Sequence, residues 1–303
     1  MNKQTEGQLQ IDHGSKMYRY FRNAVDRHWN PYEIDLEQDR EELLGYDFVN
    51  GRQDFEYLCR GVALFGAGEQ SVTEDLAPLA VAYDDIEDEM FVTTQMYEEA
   101  KHAEFFDRYW SEVIHPVEEE RGYEKTYPTD ERYFVDVYNE LFEKNQEAME
   151  RLLEEDTPAN RVKAHGSYHL VVEGILGQTG YYGTQKDLSD YCPKLPNLPG
   201  LVEGFSNIRS DEGRHIGFGM TKIKEYMIED GVGIEALNDQ VNEMIPLVNG
   251  IVSENIEPEV PGMPEAELLE YASSKHTERM RQITSSSEDI PEVEELVRLE
   301  GSY

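Results

Sequence analysis

The sequence predicts an all-α protein, and three of its features support this prediction. Apolar residues recur at the three- and four-residue spacing of helices, and no segment shows the strict apolar–polar alternation of a half-buried strand. Turn-forming residues, as in Trp29-Asn30-Pro31, separate the periodic segments. Residues 164–185 carry a single formal charge, on Glu173, and a helix that is apolar on most sides belongs in a core.

The apolar spacing also predicts the order of the helices and the domain organisation. The predicted helices cover residues 16–28, 55–83, 86–114, 130–155, 164–185, 201–223, 234–255 and 265–283. An acidic connector is predicted between the first two of them. The length of 303 residues suits one large helical domain or two small ones. We expect a single helical domain over residues 1–285 and an acidic tail over residues 286–303.

The charge balance restricts the partners of the protein. Acidic residues outnumber basic ones 64 to 27, which gives a formal net charge of −37. This excess excludes nucleic acid and anionic membranes as partners, because neutralising phosphate needs Lys and Arg. The two cysteines, Cys59 and Cys192, are too far apart in sequence to indicate a disulfide scaffold or a thiolate metal site. The first residues lack the apolar core of a signal peptide, so we expect a cytoplasmic protein.

The carboxylate of Glu173 needs a partner in the core. An isolated buried charge is too costly in free energy, so this group must be neutralised, paired or bound to a metal ion. Residues 164–185 are long enough to span a membrane, but they include two histidines and five glycines and are too polar for that environment. We therefore expect no stable membrane insertion and a binding role for Glu173.

Six acidic and imidazole side chains stand at positions on the apolar stripes. A Glu-x-x-His pair projects both side chains from one helix face and can bind one metal ion, and two such pairs each follow a core-facing Glu. The candidate metal ligands are Glu69, Glu99, His102, Glu173, Glu212 and His215. Four carboxylates offset two divalent cations, as in ferritin-like di-iron and di-manganese proteins. Oxygen-rich ligation with one imidazole per ion suits Fe and Mn, and the ligand types alone do not exclude Zn.

Neighbouring acidic residues and histidines receive a different interpretation. Glu98 is expected to point away from the apolar stripe. A third pair, Glu112-x-x-His115, lies beside its stripe with a proline after the histidine, and we interpret it as structural, at a helix end. His165 and His169 can be ligands or hydrogen-bonded core residues, and the second role is favoured because six ligands already suffice.

The motifs around these ligands resemble the superfamily of ribonucleotide reductase small subunits, and more narrowly its ligand-binding oxidase branch. The matching segments are Trp-Asn-Pro at 29–31, Gly-Glu-Gln-Ser-Val at 68–72, Glu-Ala-Lys-His-Ala-Glu-Phe-Phe at 99–106, Tyr at 168 with Val-Val-Glu-Gly at 171–174 and Thr-Gly-Tyr at 179–181, and Asp-Glu-Gly-Arg-His-Ile-Gly-Phe-Gly at 211–219. The resemblance implies a ferritin-like helical bundle with extra helices and a dinuclear centre of one Mn and one Fe ion, or of two Fe ions. It also implies activation of O₂ and a homodimer.

The same resemblance implies roles for residues beyond the ligands. In that family the β-carbon of a valine is joined to the phenol oxygen of a tyrosine, and Val72 and Tyr168 stand at the matching offsets from the ligands. The family also binds a long-chain fatty acid whose carboxylate contacts the metals, and Gly68 would leave room for it. Tyr181 and His169 are expected beside the ligands or the fatty acid. The implied function is the two-electron oxidation of a hydrophobic substrate.

Two other functions stay open. A ribonucleotide reductase small subunit would generate a radical for a catalytic partner, and the last residues, 298–303, would dock that partner. A metal-storage or structural bundle would use the same ligands without O₂ chemistry. Storage proteins normally assemble into cages from helical units much shorter than this chain.

The salt dependence of folding tests the charge pattern. Self-repulsion of so acidic a surface destabilises the compact state in dilute buffer, and at molar salt the screening length falls to about 3 Å. We therefore expect a protein from a salt-accumulating halophile, whose helical circular dichroism signal is complete in molar KCl and reduced in dilute buffer. A fully folded, stable protein in dilute buffer would instead indicate an ordinary acidic protein.

Overall fold

The protein is built from helices joined by short connections. The computed structural model describes residues 9–83, 85–189, 192, 194–256, 260–285 and 289–298. Every regular element within these residues is helical, which confirms the all-α prediction. The α-helices are α1 (Lys16–Asp26), α2 (Glu37–Gly45), α3 (Arg52–Asp75), α4 (Ala77–Ala82), α5 (Ile86–Tyr109), α6 (His115–Arg121), α7 (Asp136–Glu154), α8 (Pro158–His165), α9 (Gln178–Asp187), α10 (Pro199–Glu229), α11 (Ile234–Glu254), α12 (Glu265–Thr284) and α13 (Val293–Leu296).

Four helical stretches form the centre of the bundle. Helix α3 packs along α5, and the segment Gly166–Gly177 packs along α10, which also contacts α5. Fully buried apolar side chains such as Phe91 and Ile216 fill the space between these stretches. Gly204 lets α10 approach α5 closely, because a Cβ atom at this position would lie 2.0 Å from the ring of Phe105. The apolar stripes read from the sequence therefore face one another.

Helix α2 shows that the prediction of an acidic connector between the first two helices is wrong. Leu43 on this helix is fully buried, and so is Asp39. The Asp39 carboxylate accepts hydrogen bonds from the backbone N–H groups of Gly200 and Leu201, at 2.8 Å each, at the start of α10. The helix is too short and too polar to be recognised by its pattern, because tertiary contacts provide most of its stability.

The helix predicted over residues 86–114 extends further than its pattern indicates. A π turn at Trp110–Ile114 joins α5 to α6, so the helical path continues to Arg121. Pro116 is the second residue after the π turn, where the ordinary ladder of backbone hydrogen bonds is already interrupted. His115 therefore begins α6, and its predicted place at the end of a helix is wrong.

The helix predicted over residues 164–185 is part of a longer helical path from Pro158 to Asp187. Its central residues, Gly166–Gly177, adopt a π-helical conformation between α8 and α9. Segments of this kind occur often at functional sites. Glu173 lies in this segment with 5% of its surface exposed, which confirms its predicted position in the core.

The described part of the predicted acidic tail, residues 289–298, packs against the helical body. Ile290, Val293 and Leu296 are buried, and α13 contacts α10. The guanidinium of Arg279 donates a hydrogen bond to the backbone carbonyl of Leu296. The division of the chain at residue 285 stays a prediction. Among the described helices, none combines the length and the apolar character needed to cross a bilayer.

Candidate metal centre

All six predicted ligands lie inside the bundle. Helix α3 carries Glu69, α5 carries Glu99 and His102, and the remaining three come from the π segment and α10. None of the six is more than 6% exposed. These positions follow from the apolar stripes, because a side chain at a stripe position faces the neighbouring helices.

The six side chains form two overlapping groups of possible metal ligands. One group consists of Glu69, Glu99, His102 and Glu212, and the other of Glu99, Glu173, Glu212 and His215. Within each group, one ligand atom per residue lies within 4.8 Å of the others. Because Glu99 and Glu212 belong to both groups, two ions held here would share two carboxylates. The structure brings the six residues together, and their role as ligands stays a prediction.

Burial and crowding shift the pKa values of the cluster. Burial raises the pKa of Glu69 to about 8, although the neighbouring imidazole of His102 opposes this shift. Burial and the proximity of Glu212 raise the pKa of Glu173 well above its usual value. Burial alone would lower the pKa of His102, but Glu69 and other carboxylates around it raise that pKa well above its usual range. Without metal ions, the cluster therefore holds protons near neutral pH.

Several buried polar atoms of the cluster have no hydrogen-bond partner within the described residues. They are Glu99 Oε2, Glu173 Oε2, Glu212 Oε2 and His215 Nδ1. Buried polar atoms in native proteins are nearly always paired, so unpaired lone pairs that converge at one place indicate a bound species. Four carboxylates with one imidazole per ion match the preferences of Mn and Fe. The residues thus fit a dinuclear centre.

A second set of charged residues holds the two imidazoles in place. His102 Nε2 lies 3.0 Å from Asp211 Oδ2, and His215 Nε2 lies 2.9 Å from Glu98 Oε2. The guanidinium of Arg214 donates hydrogen bonds to both of these carboxylates. Each imidazole therefore presents Nδ1 to the cluster and donates its Nε2–H to a carboxylate, an arrangement that makes a histidine a better metal ligand.

The prediction that Glu98 points away from the stripe is therefore wrong. Its side chain is 2% exposed and lies behind His215. The sequence contains a signal for this layer, because an acidic residue directly precedes the Glu of both Glu-x-x-His pairs: Glu98 before Glu99, and Asp211 before Glu212.

Asp211 also connects the cluster to a partly exposed part of the protein. The indole Nε1 of Trp29 and the ammonium group of Lys101 each donate a hydrogen bond to Asp211 Oδ2, both at 2.8 Å. Lys101 Nζ lies 4.6 Å from the centre of the Trp29 ring. Asp211 thus faces the cations of Lys101 and Arg214, and its pKa is lowered despite burial through its contacts with His102, Arg214 and Lys101.

The remaining histidines near the stripes belong to neither ligand group. His165 and His169 are fully buried, and their ring Nδ1 atoms lie 3.1 Å apart. His115 Nε2 lies 2.9 Å from the backbone carbonyl of Thr126, and Glu112 accepts a hydrogen bond from Arg108 at 2.8 Å. These contacts agree with the hydrogen-bonded and structural roles that the sequence favours.

A cavity of about 370 Å³ reaches the cluster from the outside. Its inner lining includes the four carboxylates of the cluster together with Val72 and Tyr168, and Tyr168 donates a hydrogen bond to Glu99 Oε1 at 2.7 Å. Gly68 also lines the cavity, and a Cβ atom there would lie 3.3 Å from the ring of Phe142. Tyr181 also lines the cavity, and its ring is stacked on that of Phe65 at 5.2 Å. Most of the cavity wall is apolar.

Known structures with this arrangement identify the family. No protein-family model matches the sequence. The chain is similar to an R2-like ligand-binding oxidase with aerobically reconstituted Mn/Fe cofactor, at 30% sequence identity and a TM-score of 0.77. The match covers 90% of this chain and 94% of the oxidase chain. The chain belongs to the R2-like ligand-binding oxidases. A variant of such an oxidase with anaerobically reconstituted Mn/Fe cofactor covers 90% of this chain and 95% of its own, at 30% identity and a TM-score of 0.78. Another variant, with aerobically reconstituted Fe/Fe cofactor, is 29% identical with a TM-score of 0.77, and the match again covers 90% of this chain and 95% of the variant.

Membership of the R2-like ligand-binding oxidases confirms the resemblance seen in the sequence motifs and the ferritin-like helical bundle that it implies. The similarity covers nine tenths of the chain. The structures of those oxidases hold metal pairs, and this chain has a buried group of carboxylates and imidazoles that can hold two ions.

Metal binding is expected to release protons. The ligands must be deprotonated to bind Mn²⁺, whereas the pKa values of Glu69 and His102 are raised in the metal-free protein. The affinity should therefore increase as the pH rises towards about 8 and change less above it. Anaerobic calorimetric titration with Mn²⁺, in buffers that differ in ionisation enthalpy, measures the number of protons released.

Two variants make the calorimetric result specific. Glu69→Gln should release fewer protons than the unaltered protein and bind Mn²⁺ more weakly. Glu104→Gln changes an exposed carboxylate on the same helix as Glu99 and should leave both quantities unchanged. Binding without proton release below pH 8 would contradict the raised pKa values of the cluster.

Proposed function

We propose that this protein is an O₂-activating oxidase with a dinuclear centre of one Mn and one Fe ion. The observation that carries this proposal is the pair of overlapping ligand groups, which share Glu99 and Glu212 at the inner end of an apolar cavity. Its relatives are named as oxidases with an Mn/Fe cofactor. A centre of two Fe ions is the alternative composition, since one relative carries an Fe/Fe cofactor.

The chain's own residues would hold the two ions in different environments. Glu69 and His102 would bind one ion, Glu173 and His215 would bind the other, and Glu99 and Glu212 would contribute to both sites. When bound, the ions supply the redox steps that O₂ activation requires. Four carboxylates balance the charge of two divalent cations, so the core carries no uncompensated charge. Asp211 and Glu98 hold the imidazoles with Nδ1 towards the ions.

Val72 and Tyr168 would form the crosslink that the sequence resemblance implies. Both side chains line the inner cavity, and the hydrogen bond to Glu99 keeps the phenol oxygen beside the cluster. The reaction would join the Val72 β-carbon to the Tyr168 phenol oxygen. It breaks one C–H and one O–H bond, and O₂ would be the oxidant that accepts the two electrons and two protons that leave the pair.

A long-chain fatty acid is the ligand that the cavity would take. A carboxylate at the inner end would approach the ions, and an alkyl chain would lie along the apolar wall, where its burial is favourable. Gly68 at the inner lining leaves space for the first part of such a chain. The ribonucleotide reductase alternative receives less support, because the relatives are named as ligand-binding oxidases. The homodimer and the cytoplasmic location stay predictions.

Mass spectrometry of protein loaded with Mn and Fe in air tests the proposed chemistry. We expect a peptide that joins Val72 to Tyr168 and is lighter than the two separate peptides by two hydrogen atoms. Organic extraction of the same sample should release a long-chain fatty acid. Both peptides should remain separate in protein that is kept anaerobic.

The variant Val72→Ala tests whether the crosslink forms at the β-carbon of Val72. The β-carbon of alanine is a methyl group, so the variant has no tertiary carbon to oxidise at this position. We expect this variant to bind the metals without forming the linked peptide. Unlinked peptides from fully loaded, O₂-exposed protein would contradict the crosslink, and an extract free of lipid would contradict the proposed ligand.

A further inference from the structure

A line of buried polar residues leads from Glu173 away from the cluster. Gln95, His169 and His165 are fully buried, and Tyr83 is 5% exposed. These residues belong to neither ligand group. These polar side chains come from different parts of the chain and form a line in space. Burying polar groups in an apolar core costs free energy, so their presence there needs an explanation.

Each neighbouring pair in this line is within hydrogen-bond distance. Gln95 Nε2 donates to Glu173 Oε1 at 3.3 Å, and His169 Nε2 lies 3.2 Å from the Oε1 and from the Nε2 of the same amide. The two histidines meet through their Nδ1 atoms at 3.1 Å. His165 Nε2 lies 2.5 Å from the hydroxyl of Tyr83.

A charged group lies beside the Tyr83 end of the line. The guanidinium carbon of Arg161 lies 5.8 Å from the centre of the Tyr83 ring and 5.8 Å from that of the Tyr226 ring, and Arg161 Nη1 donates a hydrogen bond to the Tyr226 hydroxyl at 3.2 Å. Arg161 is also bound to Asp156, whose side chain is 38% exposed. The chain of hydrogen bonds therefore runs from Tyr83, which lies beside this guanidinium, to a carboxylate of the cluster.

Both histidines of the chain are neutral. Burial lowers the pKa of His165 to about 3, and the nearby cations Lys222 and Arg161 add to this shift. Burial and the adjacent His165 lower the pKa of His169 well below its usual value. A neutral imidazole has one N–H and one bare nitrogen, so each ring donates at one nitrogen and accepts at the other.

The Gln95 end of the chain determines its direction. The amide nitrogen of Gln95 can only donate, so Nε2 donates to Glu173 Oε1 whether or not that carboxyl group carries a proton. Each internal group then accepts once and donates once if every donor points from Tyr83 towards Glu173. In the opposite direction, Gln95 would use both N–H bonds on His169 and Glu173, and its buried Oε1 would have no donor.

We infer that Gln95 is a positioning residue for Glu173, and that a one-directional hydrogen-bond chain through Tyr83, His165 and His169 holds it. In this chain Tyr83 donates to His165 Nε2, His165 carries its proton on Nδ1, and His169 carries its proton on Nε2. The His169 Nε2–H donates to Gln95 Oε1, and Gln95 Nε2 donates to Glu173 Oε1. The inference rests on the proposed function only where it takes Glu173 to be a metal ligand.

The packing around the chain supports a fixed arrangement. Gly219 leaves room for His169, because a Cβ atom there would lie 2.3 Å from the His169 Cβ. The hydrogen bond from Gln95 engages one oxygen of Glu173, while Oε2 of the same carboxylate has no hydrogen-bond partner in the described part of the chain. Gln95 thereby fixes the rotation of the carboxylate and leaves Oε2 for an ion.

The tautomers of the two histidines test the chain directly. In metal-free protein with ¹⁵N-labelled histidine, we expect NMR to show the Nδ1–H form of His165 and the Nε2–H form of His169. Either histidine in the opposite form, or as a mixture of both, would overturn the inferred direction. This measurement needs no metal and no variant.

The variant Tyr83→Phe tests whether the hydroxyl of Tyr83 determines the direction of the hydrogen bonds in the chain. It removes the donor to His165 Nε2, and we expect the tautomers of both histidines to become mixed. Tyr109→Phe is the matched control, since this buried hydroxyl donates to Asp39 and lies off the chain. Unchanged tautomers in Tyr83→Phe would overturn the role of Tyr83.

Metal affinity tests the effect of Gln95 on Glu173. We expect Gln95→Leu to bind one of two Mn²⁺ ions about 10- to 100-fold more weakly in anaerobic calorimetry. Gln178→Leu is the matched control, because Gln178 is fully buried and its amide has no hydrogen-bond partner among the described residues. Equal affinities in Gln95→Leu and the unaltered protein would overturn the positioning role.

These results separate the inference from the proposed function. If the unaltered protein binds no metal, the proposed function fails and so does the positioning of a ligand, whereas the tautomers still decide the direction of the chain. If it binds two ions and Gln95→Leu does the same with equal affinity, only the positioning role fails.

Discussion

The structure depends on the burial of four carboxylates among apolar helices. Each isolated carboxylate would lose its hydration at a cost that no single helix could offset. Two overlapping ligand groups solve this problem, because Glu99 and Glu212 lie within reach of both imidazoles. In metal-free protein, protons can neutralise part of this charge, and two divalent ions would balance the charge of four ionised carboxylates.

The residues behind the ligands differ around the cluster. The imidazoles of His102 and His215 donate hydrogen bonds to the carboxylates of Asp211 and Glu98, and Arg214 donates hydrogen bonds to both of these carboxylates. Glu173 instead accepts a hydrogen bond from a neutral group, the side-chain amide of Gln95. Charged hydrogen bonds are stronger than neutral ones and raise the basicity of a histidine ligand, whereas an N–H donor lowers the electron density of a carboxylate. The protein thus gives each imidazole and Glu173 a different hydrogen-bond partner from the surrounding residues.

Much of the fold and most of the cluster could be predicted from the sequence, because helical periodicity determines which side chains face the core. Glu69, Glu99 and Glu212 fill positions on apolar stripes where a charge would otherwise be unexpected. The family of relatives then supports the metal pair and the oxidase chemistry that these ligands imply.

Other features depend on tertiary contacts that no local pattern shows. Helix α2 has too few apolar residues for its periodicity to be visible, and the widened turn at Gly166–Gly177 changes which residues share a face. Glu98 looks solvent-facing beside its stripe, yet Arg214 from another helix neutralises it in the core. Pairings between residues more than a hundred positions apart require the folded structure.

Anomalous X-ray diffraction at the Mn and Fe absorption edges, from crystals of aerobically loaded protein, tests the central claim most directly. We expect two ions inside the bundle, each bound by one imidazole, with Glu99 and Glu212 in contact with both. Metal ions bound only at surface carboxylates, or a cluster that holds fewer than two ions, would contradict a dinuclear centre.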